Sequence, residues 1–299
     1  MNLEIRSCKS NELPTVIERL DQEFVLNKQR SLSLSKRFPN TLSVENIEQI
    51  RVAVSDGVIC GALSIRFFEW VAEKQAWYGA MIGMFWVDSL HRGKGVGSNL
   101  LSSAMQFLHE KGVDFGVCCT RIPDFFERAG WLVNDCGLFG EMTNRSDPLY
   151  IDTVKCQSVV SVNSDLLERL RSRSFSMHVA RCALDYCTVP IPAINVLCFF
   201  AQNNDEIDGF AIVGEENGIG YFYEMVAPPV LWNVIWSAVT DRFSRLFVNG
   251  HSDDPFAQWL TEKRVVVWRP QNKSMWFRVS DRIKDFSIDT WHVSYFDWI

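Results

Sequence analysis

The stretch His91-Arg92-Gly93-Lys94-Gly95-Val96-Gly97-Ser98 constrains this chain more than any other. The apolar run Met81 to Val87 leads into it, and Val96 to about His109 follows, with Leu100, Leu101, Ala104, Met105 and Leu108 in one stripe. A short apolar run reads as a buried strand, and a stripe at helical spacing reads as a helix. Three glycines thus stand where a strand turns into a helix. Lacking a Cβ, glycine lets backbone N–H groups approach a ligand closely. The helix adds unpaired first-turn N–H groups and the positive end of its dipole, which suits a pyrophosphate. Arg92 and Lys94 add charge, and a guanidinium can grip phosphate with paired hydrogen bonds. Two familiar patterns fail. A P-loop needs Gly-Lys followed by Ser or Thr, and Gly93-Lys94 runs into Gly95. The dinucleotide fingerprint needs its third glycine three residues after the second, and Val96-Gly97-Ser98 breaks that spacing. The alternative to an anion loop is a glycine-rich turn with no ligand.

The chain has 299 residues, room for two domains of ordinary size. With 47% hydrophobic and 22% charged residues it can build packed cores. A formal charge of −6 argues against nucleic acid as a partner, since such proteins usually carry a basic face. The nine cysteines are scattered, with Cys118 and Cys119 adjacent and Cys182 and Cys187 five apart. Neither arrangement suits structural zinc, so no metal is expected and most of the cysteines read as small buried hydrophobes. No signal peptide opens the sequence and no apolar run is long enough to span a membrane, so a reducing cytoplasm and no membrane partner are expected.

Leu3 to Arg6 alternates as an edge strand does, and Asn11-Glu12-Leu13-Pro14 starts a helix that carries Val16, Ile17, Leu20 and Phe24. Residues 28–42 are polar and read as a loop or short helices. Ile50–Val54 and Val58–Ile65 read as strands joined at Ser55-Asp56-Gly57, because Asp-Gly tolerates the positive φ of a tight turn. Ala80 to Val87 is the fourth strand, Gly112 ends the helix behind the loop, and Phe115 to Cys119 is the fifth strand. Pro123-Asp124-Phe125-Phe126-Glu127-Arg128-Ala129-Gly130-Trp131 follows.

Arg92 through Gly95 to Gly97 fits Arg/Gln-x-x-Gly-x-Gly/Ala and resembles the acyl-CoA-binding loop of the GNAT family of N-acetyltransferases. The segment Phe125 to Trp131 resembles that family's second signature, roughly Phe-Tyr-x-x-x-Gly-Phe/Trp. The resemblance spans about 130 residues and implies an α/β (α+β) GNAT fold, a mixed central sheet flanked by helices. It implies acetyl-CoA as acyl donor, held by Arg92, Gly93, Lys94, Gly95, Val96, Gly97 and Ser98, with Phe85, Trp86 and Val87 beside the thioester and Phe126 near the sulfur. It also sets residues 28–42 over the acceptor site; the alternative is a solvated connector.

The second half repeats the pattern without the glycines. Asp208–Val213 and Gly220–Val226 are similar to the third and fourth strands, Ala227-Pro228-Pro229 stands where the loop should be, and a helix-like stretch, Val230–Val239, follows. Arg245–Val248 reads as a strand, and Asp254–Leu260 echoes the short helix of the second signature. Proline offers no N–H to a phosphate. The division expected is residues 1–150, a catalytic acyl-CoA-binding domain, and 151–299, a degenerate GNAT-like domain that helps form the acceptor site. An unrelated α+β domain is the alternative. The aromatic C-terminus (Trp276, Phe277, Phe286, Trp291, Tyr295, Phe296, Trp298) reads as core and interface packing.

The reaction implied is direct attack of a small-molecule or amino-sugar amine on the thioester. It needs a neutral amine, a polarised carbonyl and a proton for the leaving thiolate. Here the sequence departs from the family: Phe126 occupies the position of the proton-donating tyrosine, and phenylalanine has no proton to give. Cys119, Thr120, Tyr78 and the carboxylate of Ile299 are the replacement candidates for acid and base. A non-catalytic acyl-CoA-binding sensor or scaffold is the rival function, and nothing in the sequence fixes an oligomeric state.

Overall fold

The computed structural model describes residues 3–72, 74–134, 137–143, 154–203, 206–270, 274–283 and 292–299. The first half runs β1 (Leu3–Ser7), α1 (Leu13–Phe24), α2 (Leu34–Arg37), β2 (Ile50–Ser55), β3 (Val58–Ala72) and β4 (Gln75–Val87). It continues with α3 (Val96–Glu110), β5 (Phe115–Cys119), α4 (Pro123–Glu127), β6 (Leu132–Asn134) and β7 (Gly137–Met142). The hairpin turn falls where the sequence puts it: Asp56 and Gly57 have φ of 49° and 83°. β3 and β4 run further than their apolar runs suggest, pairing from Gly61–Val87 to Ala72–Gln75.

The second half runs β8 (Val154–Ser158), α5 (Ser164–Ser174), β9 (Met177–Val179), β10 (Asn195–Asn203), β11 (Glu206–Glu216) and β12 (Ile219–Val226). Then come α6 (Pro229–Arg242), β13 (Arg245–His251), α7 (Pro255–Glu262), β14 (Val266–Pro270) and β15 (Ser274–Arg278). From β8 to α7 the order repeats that from β1 to α4, except that the short strand β9 stands where the first half has the short helix α2. β9 pairs with Trp70 to Ala72 and caps the overlong end of β3.

Two sheets result, ordered β1-β2-β3-β4-β5-β15-β6 and β14-β7-β13-β12-β11-β10-β8. Each half lends the other a strand. β15 lies antiparallel between β5 and β6, with Ser274 opposite both Cys119 and Asn134. β7 lies between β13 and β14, with Glu141 opposite both Phe247 and Val267. Period-two alternation sends successive β15 side chains to opposite faces. Met275 joins Leu101, Ala104 and Leu108 under α3, and Trp276 joins Trp70, Trp77 and Phe115 on the other side. On the face away from α3, Val16 and Leu20 of α1 pack with Val52, Met84 and Trp86. The C-terminal aromatics pack as expected: Phe277 stacks on Trp131 at 5.5 Å and Tyr295 on Tyr223 at 5.9 Å. Phe286 and Trp291 lie outside the described residues.

Candidate active site

β4 and β5 run parallel only at Gly79–Phe115, Ala80–Gly116 and Met81–Val117. Beyond Met81 they part. A bulge helps: Met84 takes φ 50° and the β3–β4 register shifts between Ala62 and Ser64. The backbone of β4 from Ile82 to Val87 therefore loses β5 as its ladder partner, and a fork opens between the strands.

The glycine loop closes the end of that fork. Gly93 and Gly95 have φ of 76° and 81°, which L side chains adopt only under strain. A Cβ at either would meet nothing within 4 Å, so their surroundings are open. Gly95 caps α3 with no side-chain hydrogen bond, and the helix ladder begins at Asn99 N–H donating to Gly95 O at 3.0 Å. The first-turn N–H groups of Val96, Gly97 and Ser98 are left without a side-chain cap. Lys94 and Ser98 are exposed. Arg92 is less available than the sequence suggests. Its Nε donates to Val87 O at 2.9 Å and its Nη2 lies 3.4 Å from Glu23, so it ties the loop back to β4.

Phe85 points from β4 toward α4, its ring 5.7 Å from Phe125 and 6.2 Å from Phe126. Phe126 is buried and also meets Trp131 edge-on at 5.5 Å. Trp86 is buried on the opposite face, among the α1 contacts.

The candidates for acid and base separate clearly. Tyr78 stacks on Phe67 at 5.4 Å and donates its N–H to Asp114, which places it at the far end of β4. Nine residues of strand separate it from Val87, about 30 Å. Cys119 ends β5 and Thr120 follows it, at the mouth of the fork. Burial pushes the Cys119 thiol up, opposed by Arg121, so it stays protonated near neutrality. The Thr120 hydroxyl oxygen accepts the Ile122 N–H at 3.1 Å. Ile299 arrives from the other half of the molecule. A Cβ on Gly83 would lie 2.5 Å from the Ile299 oxygen and 2.7 Å from its Cγ1, so the tail rests directly on β4.

A buried ion network brings the tail there. Arg181 donates to both oxygens of Asp297 at 2.7 and 3.0 Å and to both of Glu224 at 3.0 and 2.9 Å. Arg171 adds bonds to Glu224 at 3.2 Å, and Arg66 of β3 donates to the Asp297 carbonyl at 2.7 Å while pairing with Asp185 at 2.8 Å. Burial alone would raise the Glu224 and Asp297 carboxyls, but Arg171 and Arg181 outweigh it and hold both below the usual range. Sequence reasoning had no signal for this network, because its members are spread from residue 66 to residue 297. The sequence suggests only packing for Tyr295. Its hydroxyl donates to Ile191 O at 3.0 Å, and burial raises its pKa. The segment around α2 also reaches this region: Leu34, Phe38 and Leu42 pack with Met84, Trp86 and Ile299, and Arg37 donates to Val189 O and Ala193 O of the second half.

A family model described as an acetyltransferase (GNAT) domain matches residues 4–133. No curated protein matches the sequence. Among solved structures, a GCN5-related N-acetyltransferase from Anabaena variabilis is similar, with a TM-score of 0.74 and 15% identity over 93% of this chain and 73% of that one. A probable N-acyltransferase from Enterococcus faecalis gives 0.74 and 12%, covering 93% and 72%. A tandem GNAT protein from the clavulanic acid biosynthesis pathway gives 0.58 and 11%, covering 93% and 99%. At these identities the likeness speaks for the fold, and the family model speaks for the first half. Residues 4–133, which carry the glycine loop, the fork and the short helix behind it, thus match the GNAT acetyltransferase domain, and the rest of the chain shares the fold of these structures.

Proposed function

We propose that the protein is an N-acetyltransferase that moves an acetyl group from acetyl-CoA to the amine of a small molecule. The observation that carries this reading is the uncapped N-terminus of α3 behind two positive-φ glycines, at the open end of the β4–β5 fork. The residues fit the cofactor. N–H groups of Gly93 to Ser98 and the charge of Lys94 suit a pyrophosphate, with Arg92 holding the loop to Val87. The fork beside Phe85, Trp86 and Val87 suits an extended chain ending in a thioester. Acetyl-CoA, when bound, supplies an activated acyl group.

The chain's own part is positioning and polarisation. Backbone N–H groups of β4 past Met81 can hold the acyl oxygen where negative charge develops. The tail at Gly83 and the cover formed by Leu34 and Phe38 exclude water and bound the acceptor site. Where the chain ends at Ile299, its carboxylate is our candidate base, and Cys119 or Tyr295 our candidate donor to the departing thiolate. We further propose that residues 1–150 and 151–299 are two GNAT-like repeats joined by exchange of β7 and β15, and that both contribute to the acceptor site. The cytoplasm remains our proposed compartment: the eight cysteines among the described residues form no disulfide, and no helix there is long and apolar enough to cross a membrane.

Calorimetric titration with acetyl-CoA should give one site per chain, because α6 begins at Pro228-Pro229 where α3 has its glycines. Thiol release against a panel of amines then tests the reaction. Phe126 in the tyrosine position favours a second reading, an acyl-CoA-binding protein without turnover. Tight binding with no amine-dependent thiol release would select it, and two equivalent sites would overturn the assignment of the loop.

A further inference from the structure

The second sheet has a fork of its own. β12 and β13 run parallel from Ile219–Arg245 to Phe222–Val248 and pair no further. A cavity of about 330 Å³ opens there, bounded by Met177 and His178 of β9, His251 of β13, Asp254 before α7, and His292 of the tail. That volume is within the range of small-molecule sites. It is separate from the first fork. His178 pairs with Val71, seven residues along β3 from Ser64, which pairs with Gly83. Seven residues of strand span about 23 Å.

The charges of the lining can be counted. Arg171 and Glu224 reach the wall, but their charges are balanced within the ion network, where Glu224 and Asp297 together offset Arg171 and Arg181. Asp253 and Asp254 are left. Asp254 Oδ1 accepts the Phe256 N–H at 3.0 Å, which caps α7, and no cation pairs with its carboxylate among the described residues. The imidazoles bring no compensating charge. Burial lowers His178 to about 4 and His292 to about 3, and it also lowers His251. His251 Nδ1 accepts the Asp253 N–H at 3.1 Å, so its proton sits on Nε2. That buried Nε2–H has no hydrogen-bond partner among the described residues, a cost a ligand oxygen would relieve. His292 lies ring to ring with His251 at 4.8 Å, yet no three His, Cys, Asp or Glu side chains among the described residues are placed to hold a metal ion. Phe175, Met177 and Pro255 supply apolar wall.

We propose that this cavity is a second binding site, for a small organic ammonium with an apolar body and a hydroxyl or similar oxygen at its far end. The ammonium meets Asp253 and Asp254, the body lies on Phe175 and Met177, and the oxygen accepts from His251 Nε2. Pro228-Pro229 at the head of α6 withholds the N–H groups a phosphate would need, so the ligand is not a second acyl-CoA.

Tyramine is a suitable probe and 4-ethylphenol its counterpart without the ammonium. The chain has five histidines, and His91 and His109 lie in the first half, away from this cavity. In the full chain with 13C-labelled histidine and no acetyl-CoA, tyramine should shift His178, His251 and His292 and leave His91 and His109 in place. 4-Ethylphenol should bind at least about tenfold more weakly, the loss of a charged hydrogen bond. Asp254→Asn, which keeps the helix cap, should weaken tyramine by a similar factor. Cavity resonances indifferent to millimolar tyramine, equal affinity for 4-ethylphenol, or an unaffected Asp254→Asn would each overturn the proposal. Since the assay contains no acyl donor, failure of acyl transfer in the first fork does not alter its outcome.

Discussion

At the scale of single residues, the glycines of the loop do different jobs. Gly93 and Gly95 are there for positive φ, whereas a Cβ at Gly97 would make ordinary contacts at 3.7 Å with Val87 and Phe125. Gly97→Ala should therefore fold and keep most acetyl-CoA affinity. Gly97→Glu should fold equally well, since a carboxylate in the first turn favours the helix dipole, yet lose acetyl-CoA binding by about a hundredfold or more through like charge against the pyrophosphate. Circular dichroism and calorimetry on the two variants check this, and unchanged affinity in Gly97→Glu would remove the loop from the site. Phe126 invites the reverse experiment. Phe126→Tyr restores the family's phenol beside Phe85, and where proton transfer limits turnover the gain should be roughly ten- to a thousandfold, with a new ionisation on the alkaline limb of the pH–rate profile. Loss of acyl-CoA affinity in the folded variant would argue that residue 126 is packed too tightly to be the acid position.

At the scale of elements, the strands and helices were legible where hydrophobic period and turn chemistry agree. The loop, α3, the Asp56-Gly57 hairpin and α4 all fall where their residues put them. β3 and β4 extend past their apolar runs because Glu69 and Gln75 stay exposed there, while Arg66 is buried against Asp185 and the Asp297 carbonyl of the second half. The partners of β15 could not be read at all, since its five residues alternate like those of any strand. Its burial has a measurable consequence. Trp276 lies edge-on to Trp70 at 6.1 Å and tilted against Phe115 at 5.3 Å. Trp276→Ala should cost about 3–5 kcal/mol in urea unfolding, a loss felt in the first sheet although the residue belongs to the second half.

At the scale of the whole molecule, exchange of β7 and β15 makes each sheet depend on both halves. A fragment of residues 1–150 would leave β5 and β6 without the strand between them, presenting open edges. Separately expressed halves should aggregate or stay unfolded, and co-expressed halves should recover one soluble complex on gel filtration. Two independently folded, monodisperse halves would contradict the interlock. Acid stability should report the buried groups. His178 and His292 have folded pKa values of about 4 and 3, below the usual 6.5, so the neutral forms they favour add stability above that value. This stability drains as pH falls from 6.5 through 4 to 3. Asp254, raised to about 6, acts in the opposite sense between 6 and 3.8, but it is one group against two. Glu224 and Asp297, held low by Arg171 and Arg181, then lose their share below the usual carboxylate range. Unfolding free energy should thus decline steadily below pH 6.5, and replacing both imidazoles with asparagine should flatten the slope between 6.5 and 5.

The sequence by itself determined the local grammar: which runs form strands, where glycine must supply positive φ, and that an anion-ready helix N-terminus follows the fourth strand. These follow from forces acting within a few residues of chain. Only the tertiary structure decided that β15 completes the first sheet and β7 the second, and that Arg66, Arg171, Arg181, Glu224 and Asp297 meet. It likewise decided that Ile299 rests on Gly83. Strand partners and buried ion pairs are chosen by contacts between residues hundreds of positions apart, and no single segment carries a signal of its distant partner.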